Sequence, residues 1–206
     1  MKNNKDKISF KIITLGDTNV GKTSIICRYI ENIFYPNILA TIGLNKSQKE
    51  ITLKEGIKIT LDLQDTSGQE KYRSTSKLYT KNADGVLFIF DLSNKESFYN
   101  IKEWIKIFDE NNSYNSVPKF LIGNKKDLER EIEQDLIDIF SEENKIKYKE
   151  TSAKDENDNN INELFQELGE QLYEKYKKNG KLNSKIKKLN SHKSHKVSAF
   201  ASNCCV

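Results

Sequence analysis

The segment Gly16-Asp17-Thr18-Asn19-Val20-Gly21-Lys22-Thr23 constrains the chain more than any other. It follows an apolar, β-branched run, Ile8 to Leu15, and opens onto Lys22-Thr23-Ser24-Ile25-Ile26, whose composition suits a helix. Strand, glycine-bounded loop and helix in that order form the context in which this spacing binds phosphate. Glycines let the backbone curl so that successive N–H groups point inward. Lys22 then places a point charge on the outer phosphates, and Thr23 offers a hydroxyl to Mg²⁺. A glycine-bearing surface turn that merely precedes a lysine is the bland alternative, and the agreement of spacing with context weighs against it.

The rest of the chain alternates strand and helix patterns. Ile57, Ile59, Leu61 and Leu63 alternate with Lys58, Thr60, Asp62 and Gln64. Lys54-Glu55-Gly56 reads as the turn from a strand spanning Leu44 to Leu53, giving a hairpin. Val86 to Phe90 and Lys119 to Gly123 read as strands covered on both faces. Helical spacing recurs at Phe98, Ile101, Ile105 and Phe108, with Ser93 and Glu96 in capping-box register. It recurs again at Ile132, Leu136, Ile139 and Phe140, and at Ile161, Leu164, Phe165, Leu168 and Leu172. The pattern predicts an α/β fold, a mostly parallel sheet with helices on both faces. Beyond Tyr176 the apolar period fades, so a folded domain is expected over 1–176 and a flexible basic tail over 177–206.

Two further motifs lie at strand ends. In Asn124-Lys125-Lys126-Asp127 the Asp127 carboxylate can accept hydrogen bonds from the ring N–H and exocyclic amine of guanine, donors that adenine lacks there. An acceptor left unpaired by the wrong base discriminates strongly. In Asp65-Thr66-Ser67-Gly68-Gln69-Glu70 an acid can hold a metal-bound water, a glycine N–H can approach the terminal phosphate, and a glutamine can orient an attacking water. Each motif alone could be a polar turn.

The net charge of +4 conceals an asymmetry: residues 177–206 carry eight lysines and no acid, leaving −4 on the remainder. Such a tail suits nucleic acid or an anionic membrane, and charge alone does not choose. With 31% charged residues, no stretch approaches the roughly 20 apolar residues of a membrane-crossing helix. The start Met1-Lys2-Asn3-Asn4-Lys5 lacks the apolar run of a secretory signal, and the three cysteines build no disulfide framework, so a reducing compartment is expected. Cys204-Cys205-Val206 is not a C-a-a-X box, because Asn203 stands fourth from the end. Cys27 reads as a small core residue.

From about Phe10 to Tyr176, and again at the terminal cysteines, these residues resemble the Ras superfamily of small GTPases, and the Rab branch most closely. The resemblance rests on five motifs in order: Gly16 to Thr23, Thr41-Ile42-Gly43, Asp65 to Glu70, Asn124 to Asp127, and Glu150-Thr151-Ser152-Ala153-Lys154. It implies a P-loop small G domain with a six-stranded sheet, binding GTP, GDP and Mg²⁺. Asp17, Thr18, Asn19, Val20, Gly21, Lys22 and Ser24 would surround the phosphates. Thr23, Thr41 and Asp65 would serve the metal, Gly68 would sense the γ phosphate, and Gln69 would position the hydrolytic water. Phe34 and Lys125 would flank the base, Asn124, Asp127, Ser152 and Lys154 would complete its site, and the Ala153 N–H would meet the guanine carbonyl. Ile38 to Lys46 and Asp65 to about Tyr79 would be switches that order around GTP.

The same resemblance implies slow intrinsic hydrolysis accelerated by a partner's arginine. It implies an exchange factor, a GTPase-activating protein, a prenylation escort, a GDP-dissociation inhibitor and effectors, with a monomeric chain and no nucleic-acid partner. Cys204 and Cys205 look like a geranylgeranylated pair. With the basic tail they would hold the protein on the cytoplasmic face of an internal or plasma membrane, beside a cytosolic pool. Departures cluster at the effector-facing surface. Asn45-Lys46 stands where an Asp-Phe pair is usual and Gln64 where a Trp is usual, with Tyr79 retained. Ser67 replaces an alanine and Thr18 stands where the family has a small residue beside Gln69, which implies reduced room there but not lost activity. A hydrolysis-defective scaffold is the alternative reading, supported by the polar Asn45, Lys46 and Gln64. A nucleotide kinase fits less well, since so few arginines leave no visible substrate lid.

Overall fold

The computed structural model describes residues 8–39, 41, 43–67, 79–112 and 117–200, with side chains described at all of these except 111 and 181–200. Six strands, β1 (Ser9–Leu15), β2 (Leu44–Thr52), β3 (Lys58–Thr66), β4 (Gly85–Asp91), β5 (Lys119–Asn124) and β6 (Lys147–Glu150), form one sheet in the order β2-β3-β1-β4-β5-β6. All neighbours are parallel except β2 and β3, the expected hairpin. Its turn closes through hydrogen bonds from Gly56 N–H to the Leu53 carbonyl and from Leu53 N–H to the Ile57 carbonyl, both 2.8 Å.

The helices are α1 (Lys22–Glu31), α2 (Lys95–Tyr99), α3 (Ile101–Asn112), α4 (Gln134–Asn144) and α5 (Asn160–Phe200). One apolar cluster joins Ile13, Val86, Phe88, Phe90 and Leu121 of the strands to Ile101, Trp104 and Phe108 of α3 and to Ile137 and Phe140 of α4. Phe88 meets Phe108 edge-on at 5.9 Å, and Phe98 meets Phe140 at 5.2 Å. Elsewhere Tyr29 of α1 stacks on Phe165 of α5 at 3.9 Å. Each such fully buried side chain contributes about 1.5–3 kcal/mol through burial.

Two sequence expectations are corrected here. The residue capping α2 is Asn94, whose side chain accepts from Ser97 N–H at 3.1 Å. Ser93 is diverted, its N–H and hydroxyl both donating to Asp91 Oδ1. On α4 the buried positions are Ile137 and Phe140, while Leu136 and Ile139 are exposed. Five aliphatic or aromatic residues between 132 and 140 fit more than one helical stripe, and only packing selects which faces the sheet.

The chain divides into two units, residues 1–170 and 171–206. The backbone of α5 stays helical through Tyr176, where the apolar period fades, to Phe200. Only Gly180 interrupts otherwise helix-tolerant residues there, and both prolines of the chain lie far upstream at Pro36 and Pro118. Within the second unit Tyr173 stacks with Tyr176, and Lys177 sits over the Tyr173 ring at 4.9 Å. Among the described residues no helix is long and apolar enough to cross a membrane.

Candidate nucleotide site

The strand order reverses direction at β1, so the loops leaving β1, β3, β5 and β6 gather at the C-terminal edge of the sheet, where open α/β sheets bind ligands. The loop after β1 admits no larger residue at its two glycines. Gly16 has φ +150° and a Cβ there would sit 2.0 Å from the Ile89 carbonyl oxygen; Gly21 has φ +94° and its Cβ would meet Asn124 Nδ2 at 2.2 Å. Asn19 also adopts a left-handed φ, 65°. The loop therefore lies tight against β4 and β5 while its N–H groups lead into α1.

Lys22 is 5% exposed, and its ammonium donates to the carbonyls of Gly16 at 3.0 Å and Asp17 at 2.7 Å. Burial pulls its pKa down to about 8, with Asp65 and Asp17 opposing the shift. Nearby, Thr23 Oγ1 donates to Asp65 Oδ2 at 2.7 Å and lies 2.9 Å from Thr41 Oγ1, which reaches Asp65 Oδ2 at 3.3 Å. Asp65 Oδ1 is buried with no hydrogen-bond partner among the described residues. Burial pushes the Asp65 carboxyl upward, against hydrogen bonds from Thr23 and Thr41 and the charge of Lys22. Two hydroxyls and a carboxylate with an orphaned oxygen form a hard-oxygen set that suits Mg²⁺, which commonly shares its coordination between a few protein oxygens and substrate phosphates.

A cavity of about 310 Å³ covers this end and is lined by Thr18, Lys22, Thr23, Thr41 and Ser67, among others. A second, of about 270 Å³, is lined by Phe34, Asn124, Lys125, Asp127, Ala153 and Lys154. Both share Asn19, Gly21, Ser24 and Ile38, so they adjoin along the start of α1. The second cavity is held by a hydrogen-bond network. Asn124 Nδ2 donates to the Val20 carbonyl at 2.9 Å, tying β5 to the phosphate loop. Ser152 Oγ donates to Asp127 Oδ1 at 2.6 Å. Lys125, in a left-handed conformation, is anchored by its ammonium to buried Asp91 at 2.6 Å.

Four residues expected at the site do not line either cavity. Val20 is core, and Ser152 is buried behind Asp127. Asp65 faces the two threonines, and the Asp17 carboxylate turns to α3, accepting from Asn100 Nδ2 at 2.7 Å and Trp104 Nε1 at 2.8 Å. Tyr35 and Pro36 join the lining unannounced by any motif, while Leu39, 91% exposed, belongs to the expected first switch. Gly68, Gln69, Cys204 and Cys205 lie outside the described residues. At the edge of the sheet Asn45 and Lys46 pair in register with Asp65 and Gln64. Asn45 and Lys46 are exposed, and Gln64 is buried.

A family model described as the Ras family matches residues 11–174. The Ras-related protein SEC4 of Saccharomyces cerevisiae is 35% identical over 199 residues, covering 95% of this chain and 90% of that one. The Ras-related protein Rab-13 of Bos taurus is 35% identical over 165 residues, 79% of each chain. The Ras-related protein Rab-8B of Pongo abelii is 34% identical over 184 residues, 88% of this chain and 84% of that one. With these relatives and a phosphate loop joined to a base-sized cavity, the chain belongs to the Ras family of small GTPases, in its Rab branch.

Proposed function

We propose that the protein is a guanine-nucleotide switch that hydrolyses GTP to GDP and, in its GTP state, recruits effectors to a membrane in vesicle trafficking. The observation that carries this reading is the pair of adjoining cavities. One is built around the buried Lys22 ammonium, and the other is lined by Asp127, whose Oδ1 is oriented by Ser152. Lys22 would bind the outer phosphates, and Thr23, Thr41 and Asp65 would hold Mg²⁺. When bound, that ion offsets charge on the phosphate oxygens. Gln69 would orient the attacking water. Of the described arginines, Arg28 and Arg130 are both engaged by other groups and line neither cavity. An activating protein's arginine is therefore assigned the remaining charge stabilisation, worth about 10³ to 10⁵ in rate. The basic tail from residue 177 and lipidated Cys204 and Cys205 would supply membrane attachment. An escort and a GDP-dissociation inhibitor would handle the anchor, and an exchange factor would reload the site.

The nucleotide released when the purified protein is denatured tests the class. Guanine nucleotide is expected; lack of preference for guanosine over adenosine nucleotides at micromolar concentration refutes it. Single-turnover hydrolysis with and without Gln69→Leu tests the catalytic role, and identical rates exclude Gln69. The alternative, a nucleotide-binding scaffold without turnover, draws on the polar Asn45 and Lys46, exposed at the sheet edge, and on Gln64. It requires no phosphate release even with activating proteins present.

A further inference from the structure

Arg28 is one of three arginines in the chain and lies on the inner face of α1, 7% exposed. Among the described residues no carboxylate pairs with it. Its guanidinium is instead spread over three backbone carbonyls: Nε donates to Ala153 at 2.9 Å, Nη1 to Asn32 at 2.8 Å and Nη2 to Lys154 at 3.3 Å. Burying a cation without a counter-charge is costly, and an apolar side chain would fill the same space more cheaply. Two of the three carbonyls belong to residues that line the base cavity. Ala153 and Lys154 line one side of it. Asn32 ends α1 in a left-handed conformation, its N–H donating back to the Arg28 carbonyl at 3.0 Å, two residues before Phe34 on the other side.

A planar trans peptide points its C=O and N–H in opposite directions. With the Ala153 carbonyl drawn to Arg28, the N–H of Lys154 in the same peptide unit faces away from the guanidinium. That N–H donates to no other described residue, whereas the Asp155 N–H, on the peptide unit of the Lys154 carbonyl, donates to Ser152 Oγ at 3.0 Å. We propose that Arg28 is a positioning residue for base selectivity: it fixes the peptide unit joining Ala153 to Lys154 so that the Lys154 N–H is held ready for the carbonyl oxygen of a 6-oxopurine. This rests on the guanine-nucleotide reading above, and it divides the labour of recognition. Asp127 reads the ring N–H and amine, and Arg28, through the backbone, sets the response to the oxygen.

Competition binding on the full chain tests this with GDP, IDP and 6-thio-GDP. IDP lacks the amine, and 6-thio-GDP replaces the oxygen by a weakly accepting sulfur while keeping the other donors. Arg28→Gln is expected to weaken GDP about tenfold and 6-thio-GDP much less, so that the preference between them collapses toward one. The GDP-to-IDP ratio should stay at its wild-type value. Equal losses for GDP and 6-thio-GDP, leaving their ratio unmoved, would overturn the proposal and leave Arg28 a core residue. Arg28→Lys keeps the buried cation and fewer donors, and should give an intermediate ratio; it decides the question by the same criterion if the Gln variant does not fold. Wild-type protein that binds GDP no better than ADP would instead sink the guanine reading itself, a separate outcome.

Discussion

At the phosphate end two ionisable groups, Lys22 and Asp65, are buried to 5% and 4% exposure, and burial pulls each away from its charged form. At the base end Asn124, Ser152 and Thr151 are buried as neutral groups, and each is hydrogen-bonded to a neighbour. One end holds charges whose full compensation awaits a polyanion and a cation. The other is satisfied by its own chain among the described residues and, on the proposed reading, would leave Asp127 and the Lys154 N–H to read a ligand. Affinity is therefore assigned to the first and selectivity to the second, because desolvated charges gain most from new partners and neutral networks gain least.

The largest effect expected from breaking this division is at Lys22. Lys22→Met should weaken GDP and ADP alike, by about 10³ for GDP, since a buried partner of the phosphates is lost; a change in base preference would contradict the division. Asp127→Ala should do the reverse, lowering the guanine-over-adenine preference by about 10² or more with a smaller loss of phosphate affinity, measured by competition with both nucleotides. Trp104→Phe removes one donor to Asp17 and keeps an aromatic ring. It should speed GDP dissociation by about tenfold without moving the GDP-to-IDP ratio. The smallest effect is pH dependence. With its pKa near 8, Lys22 in the nucleotide-free fold releases its proton between about pH 8 and 10.5 while the unfolded chain keeps it, so stability of that form rises with pH across this window. Phosphate binding should restore the proton. Calorimetry in two buffers at pH 8.5 should detect proton uptake on GDP binding, and Lys22→Arg should abolish it.

The phosphate end was the more legible in sequence because its chemistry is carried by residue types at fixed spacing. Gly16, Gly21, Lys22 and Thr23 are the residue types a curled backbone facing anions would require, at the spacing it would require. Strands β1, β4 and β5 were visible as apolar runs. Strand β6 was not, because Lys147-Tyr148-Lys149-Glu150 has neither alternation nor an aliphatic core residue. It is held by pairing with β5 and by Lys147 and Lys149 on Glu167 of α5. Arg28 offered one unused signal, a charged residue at a core position of the apolar period Ile25, Ile26, Tyr29. Its distant carbonyl partners, Ala153 and Lys154, fall within the fifth motif, but a motif does not report which backbone carbonyls a remote guanidinium reaches. Asn100 and Trp104 were equally silent, since a helix pattern reports which face is buried and not that a buried indole ends on a loop carboxylate.

Trp104 is the chain's sole tryptophan, wholly buried, with its indole N–H on Asp17. Indole emission responds to hydrogen bonding and nearby charge, so the molecule carries its own optical gauge at the loop proposed to grip the phosphates. Rearrangement of that loop as nucleotides exchange would be readable in unlabelled protein, with no second tryptophan to blur the signal.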